Sequence, residues 1–137
     1  MDTTTSRPYR ITWQVRSGCL RADVQGTGIS LRIVADYWRD VAEECHRRKA
    51  RRLLVIENLV GPSTDREEVM PELMAEFGRL GLEAVRIAFV KFDTRDLALA
   101  ELAGLLVRDL GWTARVFTNE AEAQLWLRHG PREGGRS

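Results

Sequence analysis

The sequence predicts an α/β domain: a mixed sheet of about five strands, made of an opening hairpin followed by βαβ units, with about four helices. Two short, nearly uninterrupted apolar runs, Leu53-Leu54-Val55-Ile56 and the segment VRIAFV from Val85 to Val90, have the character of strands covered by helices on both faces. Around them apolar residues recur at helical spacing, so strand and helix alternate. Ahead of them, residues 11 to 24 alternate apolar with polar, as a half-buried sheet does.

Each element can be justified in chain order. After a polar tail, Ile11, Trp13 and Val15 alternate with polar residues, Ser17-Gly18 supplies a turn, and Leu20, Ala22 and Val24 alternate again, which makes a hairpin. Gly26-Thr27-Gly28 breaks the pattern and reads as a turn. From about Ser30, the apolar positions Val34, Tyr37, Trp38, Val41 and Cys45 follow a helical period. On that helix's outer face, Glu43 with Arg47 and Glu44 with Arg48 are spaced as four-residue ion pairs.

Leu53 to Ile56 should be a central parallel strand ending at Glu57 and Asn58, with a turn at Gly61-Pro62-Ser63. Thr64 and Glu67 then form a capping box for a helix whose apolar stripe is Val69, Met70, Leu73, Phe77 and Leu80; Gly78 and Gly81 loosen and end it. After the Val85–Val90 strand, Asp93 or Thr94 caps a helix with apolar positions Leu97, Leu102, Leu105, Leu106 and Leu110, stopped by Gly111. Ala114 to Phe117 is the last strand, and Asn119 with Glu122 caps a short helix carrying Ala123, Trp126 and Leu127. The expected organisation is a disordered tail over residues 1–8, one domain over 9–128 and a flexible tail over 129–137.

Composition narrows the function. The 137 residues are enough for one core without staples, and 21 basic against 20 acidic side chains give a net charge of +1. That balance excludes the basic excess by which nucleic-acid binders neutralise phosphates, so no specific nucleic acid is expected. Cys19 and Cys45 read as reduced thiols of a cytoplasmic protein rather than a disulfide framework. No window is apolar enough for a signal peptide or a transmembrane segment.

The order of elements, the LLVIENL and IAFV strands, and above all the closing ARVFTNEAEAQLWL resemble the SpoIIAA-like group of small bacterial STAS and Sec14-like domains over roughly residues 9 to 128. The resemblance implies a non-enzymatic regulatory or protein-interaction module, a homodimer, and a possible protein partner. The alternative it implies is a small-molecule or lipid-binding domain with a Sec14-like pocket. Anti-sigma antagonists of this kind carry a phosphorylated serine at the helix after the central strand; Ser63 and Thr64 occupy about that element, without the surrounding Asp-x-Ser pattern.

In open α/β sheets ligands bind beyond the carboxyl ends of the parallel strands. Here those ends offer Glu57, Asn58, Ser63, Thr64, Lys91, Asp93, Thr94 and Thr118 as a ligand or partner rim. An enzymatic reading would take Glu57 or Asp93 as a base. No cofactor motif is present: Gly26-Thr27-Gly28 lacks the third glycine of a dinucleotide loop, and there is no glycine-lysine phosphate loop. His46 and His129 have no ligand-spaced companion, so no metal site is expected and Cys45 reads as core. The run His46-Arg47-Arg48-Lys49-Ala50-Arg51-Arg52 suits a helix C-terminus, and offers at most peripheral contact with an acidic partner or membrane surface. Trp13, Trp38 and Trp126 fall on buried stripes. Trp112, at a loop-to-strand junction, reads as an exposed indole for a partner.

Overall fold

The computed structural model describes residues 8–63, 67–93 and 97–129. Its elements run β1 (Tyr9–Arg16), β2 (Cys19–Ile29), α1 (Leu31–Arg48), β3 (Arg52–Ser63), a 3-10 turn (Glu67–Val69), α2 (Met70–Phe77), β4 (Arg86–Lys91), α3 (Leu97–Asp109), β5 (Thr113–Phe117) and α4 (Glu120–His129). The sheet order is β1-β2-β3-β4-β5, antiparallel at the opening hairpin and parallel thereafter, as the sequence predicts. Helices α1, α2 and α3 cover one face; α4 alone covers the other, over β3, β4 and β5.

Alternation decides which face each strand residue serves. Leu53 and Val55 of β3 and Ile87 of β4 join Leu20, Ala22 and Val24 of β2 in the core beneath α1 to α3, while Leu54, Ile56, Ala88 and Val90 pack against Ala123 and Leu127 of α4. Each of these larger side chains contributes about 1.5–3 kcal/mol by leaving water. Helix α1 begins where the Ser30 hydroxyl accepts from Ile33 N at 3.3 Å, and buries Tyr37, Trp38, Val41 and Cys45. Asn119 caps α4, its side-chain oxygen accepting from Glu122 N at 3.0 Å.

Several local expectations are corrected. Gly26-Thr27-Gly28 is not a turn: β2 runs through it to Ile29, with a register shift between Thr27 and Ile29. Glycine is required at 26 because a Cβ there would stand 2.4 Å from the Pro8 carbonyl oxygen. Likewise β3 does not stop at Glu57 but continues through Gly61-Pro62 to Ser63, paired with the extended end of β2. Continuous pairing with a neighbour overrides the turn propensity of glycine and proline.

Glu43 does not pair with Arg47. Glu44 takes both Arg47 and Arg48, the latter at 2.6 Å, and these two guanidinium groups, Arg48 first, hold its carboxyl below the usual range. On α3, the expected apolar positions are mostly half-buried, Leu105 is 58% exposed, and Val107 is the fully buried residue. His129 belongs to α4 rather than to a tail. Among the described residues, no helix is long and apolar enough to cross a membrane.

Candidate functional site

The face under α1, α2 and α3 is not completely filled. A cavity of about 120 Å³ lies between these helices and β4 and β5. Four aromatic rings dominate its wall. Trp38 of α1 sits at its centre, with ring centroids 5.6 Å from Phe77, 6.1 Å from Phe89 and 5.9 Å from Trp112; Phe77 and Trp112 stack at 5.3 Å. Met70, Leu73, Leu99 and Ala103 are among the other apolar residues of the lining. Helix α3 approaches β5 through Gly104, where a Cβ would stand 3.0 Å from Val116 Cγ2.

At the carboxyl end of β4 the lining turns polar. Register places Lys91 beside Glu57, on the same face of the sheet. Lys91 Nζ donates to Glu57 Oε1 at 3.1 Å, and the hydroxyl of Tyr37, from the buried side of α1, donates to Glu57 Oε2 at 2.7 Å. The Glu57 and Lys91 side chains are only 5% and 4% exposed. Burial, and then the charge of Glu57, push the Tyr37 phenol well above its ordinary value of 10.0, so it stays protonated and donates.

A buried ion pair costs several kcal/mol per ion in desolvation, and well-packed apolar residues would often be as stable. Its retention beside a cavity therefore suits a role in binding more than in holding the fold. The carboxylate fixes the lysine; the ammonium carries three donors and gives one of them to Glu57. The Trp112 indole Nε1, on a residue of the cavity lining, is buried with no hydrogen-bond acceptor among the described residues. A buried indole N–H ordinarily has a partner.

The eight rim residues thus separate. Glu57 and Lys91 come together, inside the protein rather than on a rim, because β3 extends beyond Glu57 and α1 covers it. Asn58 and Thr118 are exposed, and neither is joined to the pair. Asp93 is half-buried just after β4. Ser63 ends β3 and does not begin a helix, so the element expected for a phosphorylation site is absent there; Thr64 and Thr94 lie outside the described residues. Trp112 is 5% exposed and cannot be the surface indole expected from the sequence. The sequence puts Tyr37 on a core stripe and gives it no role; a tyrosine at a fully buried helical position is itself a signal that a polar partner waits inside. Among the described residues, no group of three or more His, Cys, Asp or Glu side chains is placed to hold a metal ion.

Comparison with protein-family models and with curated proteins finds no match to either.

Proposed function

We propose that this chain binds a small molecule with a ring-sized apolar body and one polar end, held between helices α1 to α3 and the sheet. The observation that carries this reading is the aromatic cavity ending in the buried Tyr37–Glu57–Lys91 group. A cavity of roughly 150 Å³ lined by apolar side chains accepts benzene, so the present volume suits a single ring or short chain, with helix movement needed for more. The polar end would accept from Lys91. Glu57, already accepting from two donors, serves here as the anchor of the lysine rather than as a base. This is the small-molecule-binding alternative implied by the Sec14-like resemblance, and it is compatible with a regulatory role in which occupancy changes the position of α3.

The test is native mass spectrometry of protein purified from its own host, before and after denaturation, with tryptophan fluorescence during titration with benzoate and hexanoate. A small non-covalent mass, and quenching of Trp38 and Trp112 by one of these acids, are expected. Ala103→Leu, which fills the cavity, should abolish both. A bare chain in every preparation, with no fluorescence response up to millimolar acid, overturns the proposal.

A further inference from the structure

The basic run at the end of α1 divides in two. Arg47 and Arg48 fold back onto Glu44, and Lys49 closes the helix in the left-handed conformation, with φ of 56°. Arg51 and Arg52 continue past the helix to the start of β3. The register sets Arg52 beside Arg86 of β4, and Arg86 beside Thr113 of β5, so the three side chains share the α4 face at the amino ends of the parallel strands. With Arg51 and Glu83 they line a cleft of about 340 Å³. Lys91 lies five positions beyond Arg86 on β4, roughly 16 Å along the strand, so this cleft lies away from the aromatic cavity.

Like charges on directly paired strand positions repel. The pairing of Arg52 with Arg86 is therefore mildly unfavourable, and an anion between them would relieve it. Among the described residues, Arg21, Arg39, Arg47, Arg48 and Arg79 each reach a carboxylate; Arg51, Arg52 and Arg86 do not, and neither do Arg10, Arg16, Arg32, Arg108, Arg115 and Arg128, but the cleft alone gathers three such side chains. Glu83 is the one acidic residue of the cleft, so two positive charges are in excess. Arg86 is also held in place: its Nη1 donates to the Leu127 carbonyl at 3.2 Å and its guanidinium lies 5.7 Å from the centre of the Trp126 ring. Its Nε is buried and has no acceptor.

We propose that this cleft binds the phosphate group of a small solute, with Arg52 and Arg86 as its principal ligands and Arg51 and Thr113 beside them. A phosphate monoester carries about −1.5 to −2 charge at neutral pH, close to the excess in the cleft, and three acceptor oxygens. Arginine forks match such oxygens with paired N–H donors, and a side chain already fixed by stacking loses little freedom on binding.

The probe is pyrophosphate, titrated at low ionic strength into the full-length chain and followed by calorimetry and by amide chemical shifts. Saturable shifts are expected at Arg51, Arg52, Arg86 and Thr113, with none at Lys91. Arg52→Gln should weaken binding by roughly tenfold or more, as loss of a charged hydrogen bond does. Arg86→Gln also removes the contact to Leu127 and can perturb the fold, so Arg51→Gln with Arg52→Gln is the decisive variant, and Arg47→Gln should leave affinity unchanged. Absence of saturable binding, or equal weakening by Arg47→Gln, overturns the proposal. Co-sedimentation with phosphatidylglycerol vesicles that requires Arg52, without pyrophosphate binding, replaces the solute with a lipid headgroup and equally overturns it.

Discussion

On the α4 face of the sheet, one ten-residue helix packs Ala123 and Leu127 onto Leu54, Ile56, Ala88 and Val90, with Phe117 closing one end and the Arg86 guanidinium beside Trp126. On the opposite face three helices cover a wider area, yet enclose a cavity and a buried ion pair. The small side chains of Ala88 and Ala123, both fully buried, let α4 sit close to its strands. Large rings at Trp38, Phe77, Phe89 and Trp112 hold the other helices apart. Interiors are packed as densely as organic crystals, so the gap and the buried ion pair beside it set the three-helix face apart from the closed cluster under α4.

The largest effect that would sharpen this contrast comes from the ion pair. Lys91→Met leaves the Glu57 carboxylate buried with Tyr37 as its remaining donor, and should cost about 3–5 kcal/mol of unfolding free energy. Adding Glu57→Gln should restore much of the loss, because the uncompensated charge is gone. Urea denaturation at neutral pH measures both; a Lys91→Met protein as stable as the parent would mean that water reaches Glu57 and that the pair is not a buried feature of this face.

A smaller effect tests the packing directly. The same substitution, alanine to leucine, should have opposite results on the two faces. At Ala123 the added atoms meet a closed cluster, and overpacking should destabilise by about 1–3 kcal/mol. At Ala103, on the cavity wall, they enter empty space and should be neutral or stabilise by up to about 1 kcal/mol. Equal losses at the two positions would show that the cavity closes in solution and would break the comparison.

Much of the scaffold was legible because periodicity reports burial. LLVI and VRIAFV gave the central strands, and Asn119 with Glu122 gave the last cap. The tip of the sheet was not legible: Gly26, Gly28, Gly61 and Pro62 carry local turn signals that β2–β3 pairing overrides, and no local signal reports a partner far away in sequence. Half of the candidate site was legible in the same sense. Glu57 and Lys91 were marked by their place at the end of apolar runs, which is a local property. Tyr37 is not, since its role depends on Glu57, 20 positions away; Trp112 stands out at its loop-to-strand junction, but its burial depends on Trp38 of a helix far away in the chain. The arginine cleft was seen only as a helix-end charge run; its separation into a neutralised half and an unpaired half needs the β3–β4 register.

The gentlest way to probe the cavity face is alkaline titration. The Tyr37 phenol is raised in the folded protein by burial and by Glu57, whereas in the unfolded chain it ionises near pH 10. Above that pH the unfolded chain binds fewer protons than the folded one, so stability must fall as pH rises. The contribution is fully present below about pH 10, and once the pH passes that value each such group removes about 1.4 kcal/mol per pH unit. Cys45 adds a loss of the same sign at somewhat lower pH, since burial pushes its thiol up from 9.0 to about 12. Both groups lie under the three-helix face; on the other face the Cys19 thiol, packed against the α4 cluster, is also raised by burial and adds a loss of the same sign. Tyr37→Phe should therefore lower stability at pH 7, where Glu57 loses a donor, and yet flatten the decline between pH 10 and 11 in urea titrations. In a background carrying both Cys19→Ala and Cys45→Ala, to remove the two raised thiols, the difference in slope should persist. A Tyr37→Phe protein that loses stability with the parent's full alkaline slope would place the phenol in contact with solvent, and with it the polar end of the cavity.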